Sequence, residues 1–311
     1  MSDKLAVIDF GTNTARLLIA DQIQGGSFRH IHLQREVVRM GGGFNRTEGL
    51  SADAVHRGLA CLTRFSEVIH EHNVQTVLAV ATSAVRDALN GKLFVKHVRQ
   101  QTGIELKVID GKVEGILTLA GVLTGLDQQY DSILVFDIGG GSTEFTLARS
   151  GQAVFVRSLP LGVVRLTEGK GTIAAMEIKI RKELELFFTD LQQSGFDLYK
   201  GIPLVGTAGT ATTLAAISME MADYDYRKVN NTIISKQEIT SIFNRLLPLT
   251  PKERLGVPGL EKGREDLIIS GTLITMLAMD LLGVDTMKVS DFGLLEGLVV
   301  YGKSLLVGNH V

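Results

Sequence analysis

A single cysteine and no tryptophan stand among the 311 residues. One thiol, Cys61, excludes an intramolecular disulfide and a cysteine-ligated zinc site, and its place in the pattern Val55, Leu59, Leu62, Ile69 makes it a core-adjacent residue. An excess of either charge is also missing, the formal net charge being −2. Domains that bind nucleic acid or membrane surfaces usually carry a basic excess, so neither partner is expected, although a local basic groove remains open. No apolar run is long enough to cross a bilayer; the longest, Leu267 to Met279, is bounded by Asp266 and Asp280. The first apolar run ends at Asp9 with no small-residue cleavage site after it. A signal peptide is therefore not expected, and a cytoplasmic, reducing location is the default. With 45% hydrophobic and 21% charged residues the composition is that of a globular protein, and the length allows two domains with sizeable cores.

Glycine, by contrast, is abundant, and its most telling use is in Ile133 to Ala148. An apolar strand runs into Asp137, then Gly139, Gly140 and Gly141, then Ser142 and Thr143, then a second strand. Residues without Cβ let backbone N–H groups converge on an anion such as phosphate, and the two hydroxyls add donors. Asp137 at the strand end is suited to a divalent cation, because Mg²⁺ takes one or two carboxylates together with phosphate oxygens and water. A glycine-rich hairpin turn without a ligand is the plain alternative for such a run taken alone.

The pattern occurs twice. A constant shift of 128 positions lays Val7 to Ala20 over Val135 to Ala148, with Asp9 on Asp137, Gly11 on Gly139 and Thr14 on Ser142. A weaker second pair, Leu78 to Ala88 and Pro203 to Ala216, reads as a strand, a small-residue turn and a helix, with Arg86 facing Ala211. Self-similarity at this spacing indicates duplicated domains, not a solenoid. The boundary is expected near Gly125 to Asp131, giving domains over 1–124 and 125–296, with a closing helix at about 297–311 that packs back on the first.

In order, the chain predicts a hairpin over Leu5 to Ala20 whose turn carries Thr12, Asn13 and Thr14, with Arg16 on the return strand. Plain turn chemistry would also use those residues. Strand continues from Phe28 to Gly43; His30 and His32 share a face but lack a third ligand and read as a solvated edge. Ser51 caps a helix to about His72. Val74 to Ala81 is a buried strand delivering Thr82, Ser83 and Arg86, which suits a phosphate clamp or a surface ion pair. A helix to Thr102, capped by Gly103, and a strand over Glu105 to Ile109 follow. Glu114 opens an apolar helix and is either a general base or a first-turn acid favouring the helix dipole. After the second hairpin, Val154 to Ser158 is strand, Leu161 to Thr167 a loop carrying Arg165, and Ile173 to Gln193 a long helix with a solvated face. Gly209 and Thr210 open another helix at its anion-favouring end. Ser235 caps a helix to about Leu246, Pro248 to Pro258 is loop, and Lys262 and Arg264 precede the apolar helix from Leu267. Lys288 to Ser290 and Leu294 to Lys303 close the chain as strand and helix.

The motifs DFGTNTAR, ATSAVRDA, the Glu114 helix, DIGGGSTEF, GTAGTATTLAA, GREDLIISG and VSDFGLLEG, in that order, resemble the exopolyphosphatase and guanosine pentaphosphate phosphohydrolase family of the actin, sugar-kinase and Hsp70 superfamily. The likeness covers essentially the whole chain. It implies an α/β fold of two ribonuclease-H-like (actin-like ATPase) domains with an interdomain cleft, and hydrolysis of a terminal phosphoanhydride in polyphosphate or pppGpp. Transferred by motif, Thr12, Asn13, Thr14, Arg86, Gly139, Gly140, Gly141, Ser142, Thr143, Gly209 and Thr210 become phosphate ligands. Glu114 becomes the catalytic base, Asp137 and Glu144 the carboxylates of a Mg²⁺ or other divalent cation, and Arg16 and Arg264 contacts to a long anion or nucleotide. A homodimer is left open. Three features depart from the family pattern. Val113 and Gly115 flank Glu114 where two adjacent glutamates are usual, Leu295 stands where an arginine is common, and the C-terminal helical region of longer members is lacking, so processivity on long chains is not expected. A non-catalytic sensor of (p)ppGpp or polyphosphate and an ATP-dependent kinase of the same superfamily are the rival readings.

Overall fold

The computed structural model describes residues 3–22, 28–45, 47–196 and 202–306. They form two compact units, one of residues 1–121 with 294–311 and one of residues 122–293.

The first unit begins with an antiparallel meander, β1 (Asp3–Phe10), β2 (Thr14–Gln22) and β3 (Phe28–Val37). The helix α1 (Ala52–Glu71) follows. Ser51 accepts the Ala54 N–H at its start, and Ala54, Cys61, Leu62, Phe65 and Ile69 form its buried stripe. Then come β4 (Thr76–Ala81), the short α2 (Ser83–Asp87), α3 (Gly91–Thr102), β5 (Leu106–Val108) and α4 (Gly111–Gly125), of which residues 122–125 count with the second unit. Gly103 ends α3 in the left-handed region, as a C-cap glycine does. The sheet order is β3-β2-β1-β4-β5, with β4 and β5 parallel to β1, as the ribonuclease-H-like expectation requires. Alternation along β1 buries both faces. Ala6, Ile8 and Phe10 enter a core with α1 and α3, where Phe10 stacks on Phe94 at 5.5 Å. Leu5 and Val7 enter the opposite core.

The second unit repeats the scheme. It runs through β6 (Ser132–Ile138), β7 (Thr143–Arg149), β8 (Gln152–Leu159), α5 (Val163–Gly169), α6 (Ile173–Gln193), β9 (Leu204–Thr207), α7 (Ala208–Ser218), α8 (Tyr226–Val229), β10 (Ile233–Ser235), α9 (Lys236–Leu246), α10 (Pro251–Arg254), α11 (Ile268–Leu282) and β11 (Thr286–Val289). Its order, β10-β11-β9-β6-β7-β8, matches the first sheet with one added antiparallel edge strand. One core built on Phe136, Phe145 and Phe187 holds it together. The last helix, α12 (Leu294–Leu306), returns to the first unit, where Leu294 and Leu298 pack with Leu5 and Val7. Residues 307–311 of the closing helix expected over 297–311 lie outside the described residues.

The duplication holds to the hydrogen bond. Asp9 pairs with Arg16 and Asp137 with Glu144, and both turns close alike, Gly11 N–H on Thr14 O at 3.1 Å and Gly139 N–H on Ser142 O at 3.0 Å. The second pair matches at its helix starts, where Arg86 and Ala211 each stand four residues past the N-cap, Thr82 in one unit and Thr207 in the other. The expected loop over Leu161 to Thr167 is corrected. Most of it is α5, whose start has no side-chain cap because Val163 and Val164 donate instead to Gly139 O and Gly140 O at 3.0 and 2.9 Å. Strand β3 stops at Val37, before the glycine run, and the expected loop over Pro248 to Pro258 contains α10, opened by a capping box of Thr250 and Glu253.

Candidate functional site

Each unit gathers its hairpin turn and the start of the following helix at the carboxyl ends of adjacent parallel strands, where α/β sheets place their ligands. In the first unit, Thr12 O accepts from Gly41 N–H at 3.0 Å, and Asn13 O accepts from Val38 and Arg39 N–H at 2.9 Å each. A trans peptide points its N–H opposite to its C=O, so the amides of Asn13 and Thr14 face away from that backing segment. The Thr12 hydroxyl is tied inward, to Ser83 Oγ at 2.8 Å and the Ala84 N–H at 3.2 Å, and so fastens the hairpin to α2. Asn13 is buried, and its Oδ1 has no hydrogen-bond partner among the described residues. A buried amide oxygen without a partner is uncommon in folded proteins. The Asn13 Nδ2 reaches Thr14 Oγ1 at 3.4 Å.

The same unit brings Arg86 and Glu114 together. Glu114 lies in the first turn of α4, 7% exposed, and Arg86 donates from Nη1 to its Oε2 at 3.5 Å and to Ile109 O at 3.2 Å. Arg86 thus forms an internal ion pair with the candidate base, not with a surface partner alone. Arg16 donates through Nε and Nη2 to Asp9 Oδ2 at 3.1 and 2.7 Å, which assigns part of its donor capacity to its own hairpin. Leu295 is core, 1% exposed, so that position offers no basic contact.

In the second unit, α5 presses on the glycine turn so closely that a Cβ on Gly162 would lie 2.2 Å from Gly140 O. With Gly139 O and Gly140 O turned to α5, the amides of Gly140 and Gly141 point the other way, side by side, an arrangement suited to an anion. Thr143 corrects its sequence assignment. It is fully buried and its hydroxyl donates to Leu161 O, so it braces the turn from inside. Asp137 and Glu144 are direct cross-strand neighbours and both buried, and Ser158 donates to Glu144 Oε1 at 2.6 Å. Where the first hairpin pairs an acid with a base, the second pairs two acids. Two neighbouring carboxylates are a donor set that suits Mg²⁺, which takes one or two carboxylates together with other oxygen ligands. No cluster of three or more acidic, histidine or cysteine side chains able to hold a metal occurs among the described residues.

Gly209 and Thr210 lie in the first turn of α7. A Cβ on Gly209 would sit 1.5 Å from Arg264 Nη1, so glycine is what admits the guanidinium to this helix start. A cation beside the positive end of a helix dipole is unfavourable by itself, and a bound anion would relieve both charges. Glu261 accepts from Arg264 Nε at 3.0 Å. The Thr210 side chain faces inward, since a Cβ on Gly271 would come within 2.4 Å of its hydroxyl. Sequence reasoning missed Ala208, which takes a left-handed φ of 60° at the junction of β9 and α7. Its only signal was its place in a glycine-rich turn.

A family model for the Ppx/GppA phosphatase family matches residues 18–305. Exopolyphosphatase 2 of Mycobacterium tuberculosis is 31% identical over 314 residues, covering 96% of this chain and 98% of that protein. A bifunctional 3-dehydroquinate synthase/phosphatase of Fusobacterium nucleatum is 33% identical over 96% of this chain, which spans 46% of that longer protein. Among solved structures, the PPX-GPPA enzyme of Aquifex aeolicus superposes with a TM-score of 0.78 at 30% identity, covering 96% of this chain and 98% of that one. An exopolyphosphatase from Cytophaga hutchinsonii reaches 0.87 at 25% identity, with 98% of each chain covered. Paired hairpins, a fold with two actin-like sheets and a match running from the first hairpin to the last helix place the chain in the Ppx/GppA phosphatase family.

Proposed function

We infer that the protein releases orthophosphate from the end of inorganic polyphosphate, of pppGpp, or of both, by attack of water on the terminal phosphoanhydride. The observation that carries this reading is the pair of outward amides in each turn, Gly140 and Gly141 in one and Asn13 and Thr14 in the other, with the resemblance to exopolyphosphatases at about equal length in support. In this reading the amides of Gly140 and Gly141 with Ser142 are the phosphoryl donors of the second unit, and the amides of Asn13 and Thr14 with the forked Arg86 are those of the first. Glu114 orients the attacking water and takes its proton. Asp137 and Glu144 hold a divalent cation, which when bound neutralises charge on the phosphate oxygens. Arg264 and the start of α7 engage the next part of the anion, and Arg16 contributes from beside Asp9. Phosphoryl transfer depends chiefly on such positioning and electrostatic stabilisation.

Glu114→Gln tests the reading. Phosphate release from tripolyphosphate should fall by about 10²- to 10⁴-fold, the usual share of a positioned base, while thermal melting stays within a few degrees of wild type. Wild-type turnover by the folded variant would remove Glu114 from that role. A sensor, the rival that the single carboxylate beside Val113 favours, would bind the anion by calorimetry and release nothing.

A further inference from the structure

We propose that Arg165 and Arg57 are positioning residues, each setting from behind the direction in which one loop's amides point. This rests on the phosphate-hydrolysis reading and adds to it two residues that touch no substrate. Arg165, in α5, donates from Nε to Gly141 O at 2.9 Å, while its own N–H reaches Gly140 O at 3.3 Å. The first bond fixes the peptide between Gly141 and Ser142. With its carbonyl held by the guanidinium, the Ser142 N–H points away from α5, as those of Gly140 and Gly141 do. Three consecutive amides thus share one direction, and the last does so through a side chain. The cation also polarises that peptide, making its N–H a stronger donor to an anion.

Arg57 does the corresponding work in the first unit, one step removed. From α1 it donates through Nε to Val38 O at 2.9 Å and through Nη2 to Arg39 O at 3.0 Å. Val38 and Arg39 are the two residues whose N–H groups hold Asn13 O. Arg39 has a φ of 46°, a left-handed conformation that costs a non-glycine residue on the order of 1 kcal/mol and persists where the surroundings enforce it. Gly42 N–H on Arg39 O at 3.0 Å completes that enforcement. The two arginines are not counterparts under the 128-residue shift. Each comes from the helix after the third strand of its own unit, at a different position along it.

The test compares Arg165→Gln and Arg57→Gln with Arg157→Gln, which removes an exposed arginine of β8 paired with Asp190 at 2.9 Å. Steady-state phosphate release from tripolyphosphate with Mg²⁺ is measured beside thermal melting. The two positioning variants should lose about 10- to 100-fold in kcat/KM, the size of one charge-assisted hydrogen bond, with melting close to wild type and Arg157→Gln unchanged. Arg165→Lys should fall between, keeping the charge without the planar fork. Folded Arg165→Gln with wild-type kcat/KM, or no worse than Arg157→Gln, overturns the proposal. If a glutamine variant does not fold, the lysine variant decides, reduced kcat/KM supporting the role and wild-type kcat/KM overturning it. If wild type releases no phosphate, the hydrolase reading fails, and calorimetry with tripolyphosphate separates the two. Weaker binding by Arg165→Gln then supports the positioning role, and equal binding or none by wild type removes it.

Discussion

Residue by residue, the site is a matter of where donors point. Thr12, Thr143 and Thr210 are candidate ligands by the family motifs, and all three hydroxyls turn inward, to Ser83, to Leu161 O and toward Gly271. Their direction is set by strand parity and helix packing, which a motif does not encode. The candidate ligands left facing outward are largely backbone amides, those of Gly140 and Gly141 in one turn and of Asn13 and Thr14 in the other. Ala208 gives a sharp test at this scale. Its left-handed φ of 60° is strained for any residue with a Cβ, so Ala208→Gly should raise stability by about 0.5–1 kcal/mol, read as a higher melting temperature. An unchanged or lower value would mean that the strain is not there. Cys61 gives another. Burial, seconded by the nearby Glu36 charge, pushes its thiol pKa well up, as its apolar pattern implied. In native protein at pH 8 it should resist a disulfide reagent such as dithionitrobenzoate, and should react within the mixing time in guanidinium chloride.

Among the elements, the hairpins were legible because alternation and repetition are local, and the structure repeats them to the same closing hydrogen bond. Helix α5 was not. Its first amides are satisfied by Gly139 and Gly140, partners more than twenty residues away in sequence, so Leu161 to Thr167 shows neither cap nor long stripe. The Arg16 contact to Asp9 likewise follows from strand register, visible only once β1 and β2 are paired. The fit of α5 to the glycine turn predicts a severe effect from one methyl group. Gly162→Ala would place a Cβ 2.3 Å from the Gly141 backbone as well as against Gly140 O, so α5 or the turn must shift. The variant should lose about 1–3 kcal/mol of stability by overpacking and at least tenfold in kcat/KM. Wild-type melting and turnover would show that the turn does not depend on α5.

At the scale of the whole chain, a doubled sheet, a family match from residue 18 to 305 and relatives of nearly equal length agree on a phosphatase of the Ppx/GppA family. No helix among the described residues is long and apolar enough to cross a membrane. The sequence carried the family and both hairpins because each motif occupies contiguous residues. It did not choose between polyphosphate and pppGpp, since both end in the same phosphoanhydride and would meet the same loop amides. The most direct measurement is orthophosphate release from tripolyphosphate, long-chain polyphosphate, pppGpp and ATP in parallel, with Mg²⁺ and with the metal chelated. Metal-dependent release from polyphosphate or pppGpp without any nucleotide acceptor is the predicted result. Binding of these anions without release, or turnover of ATP alone, would contradict it.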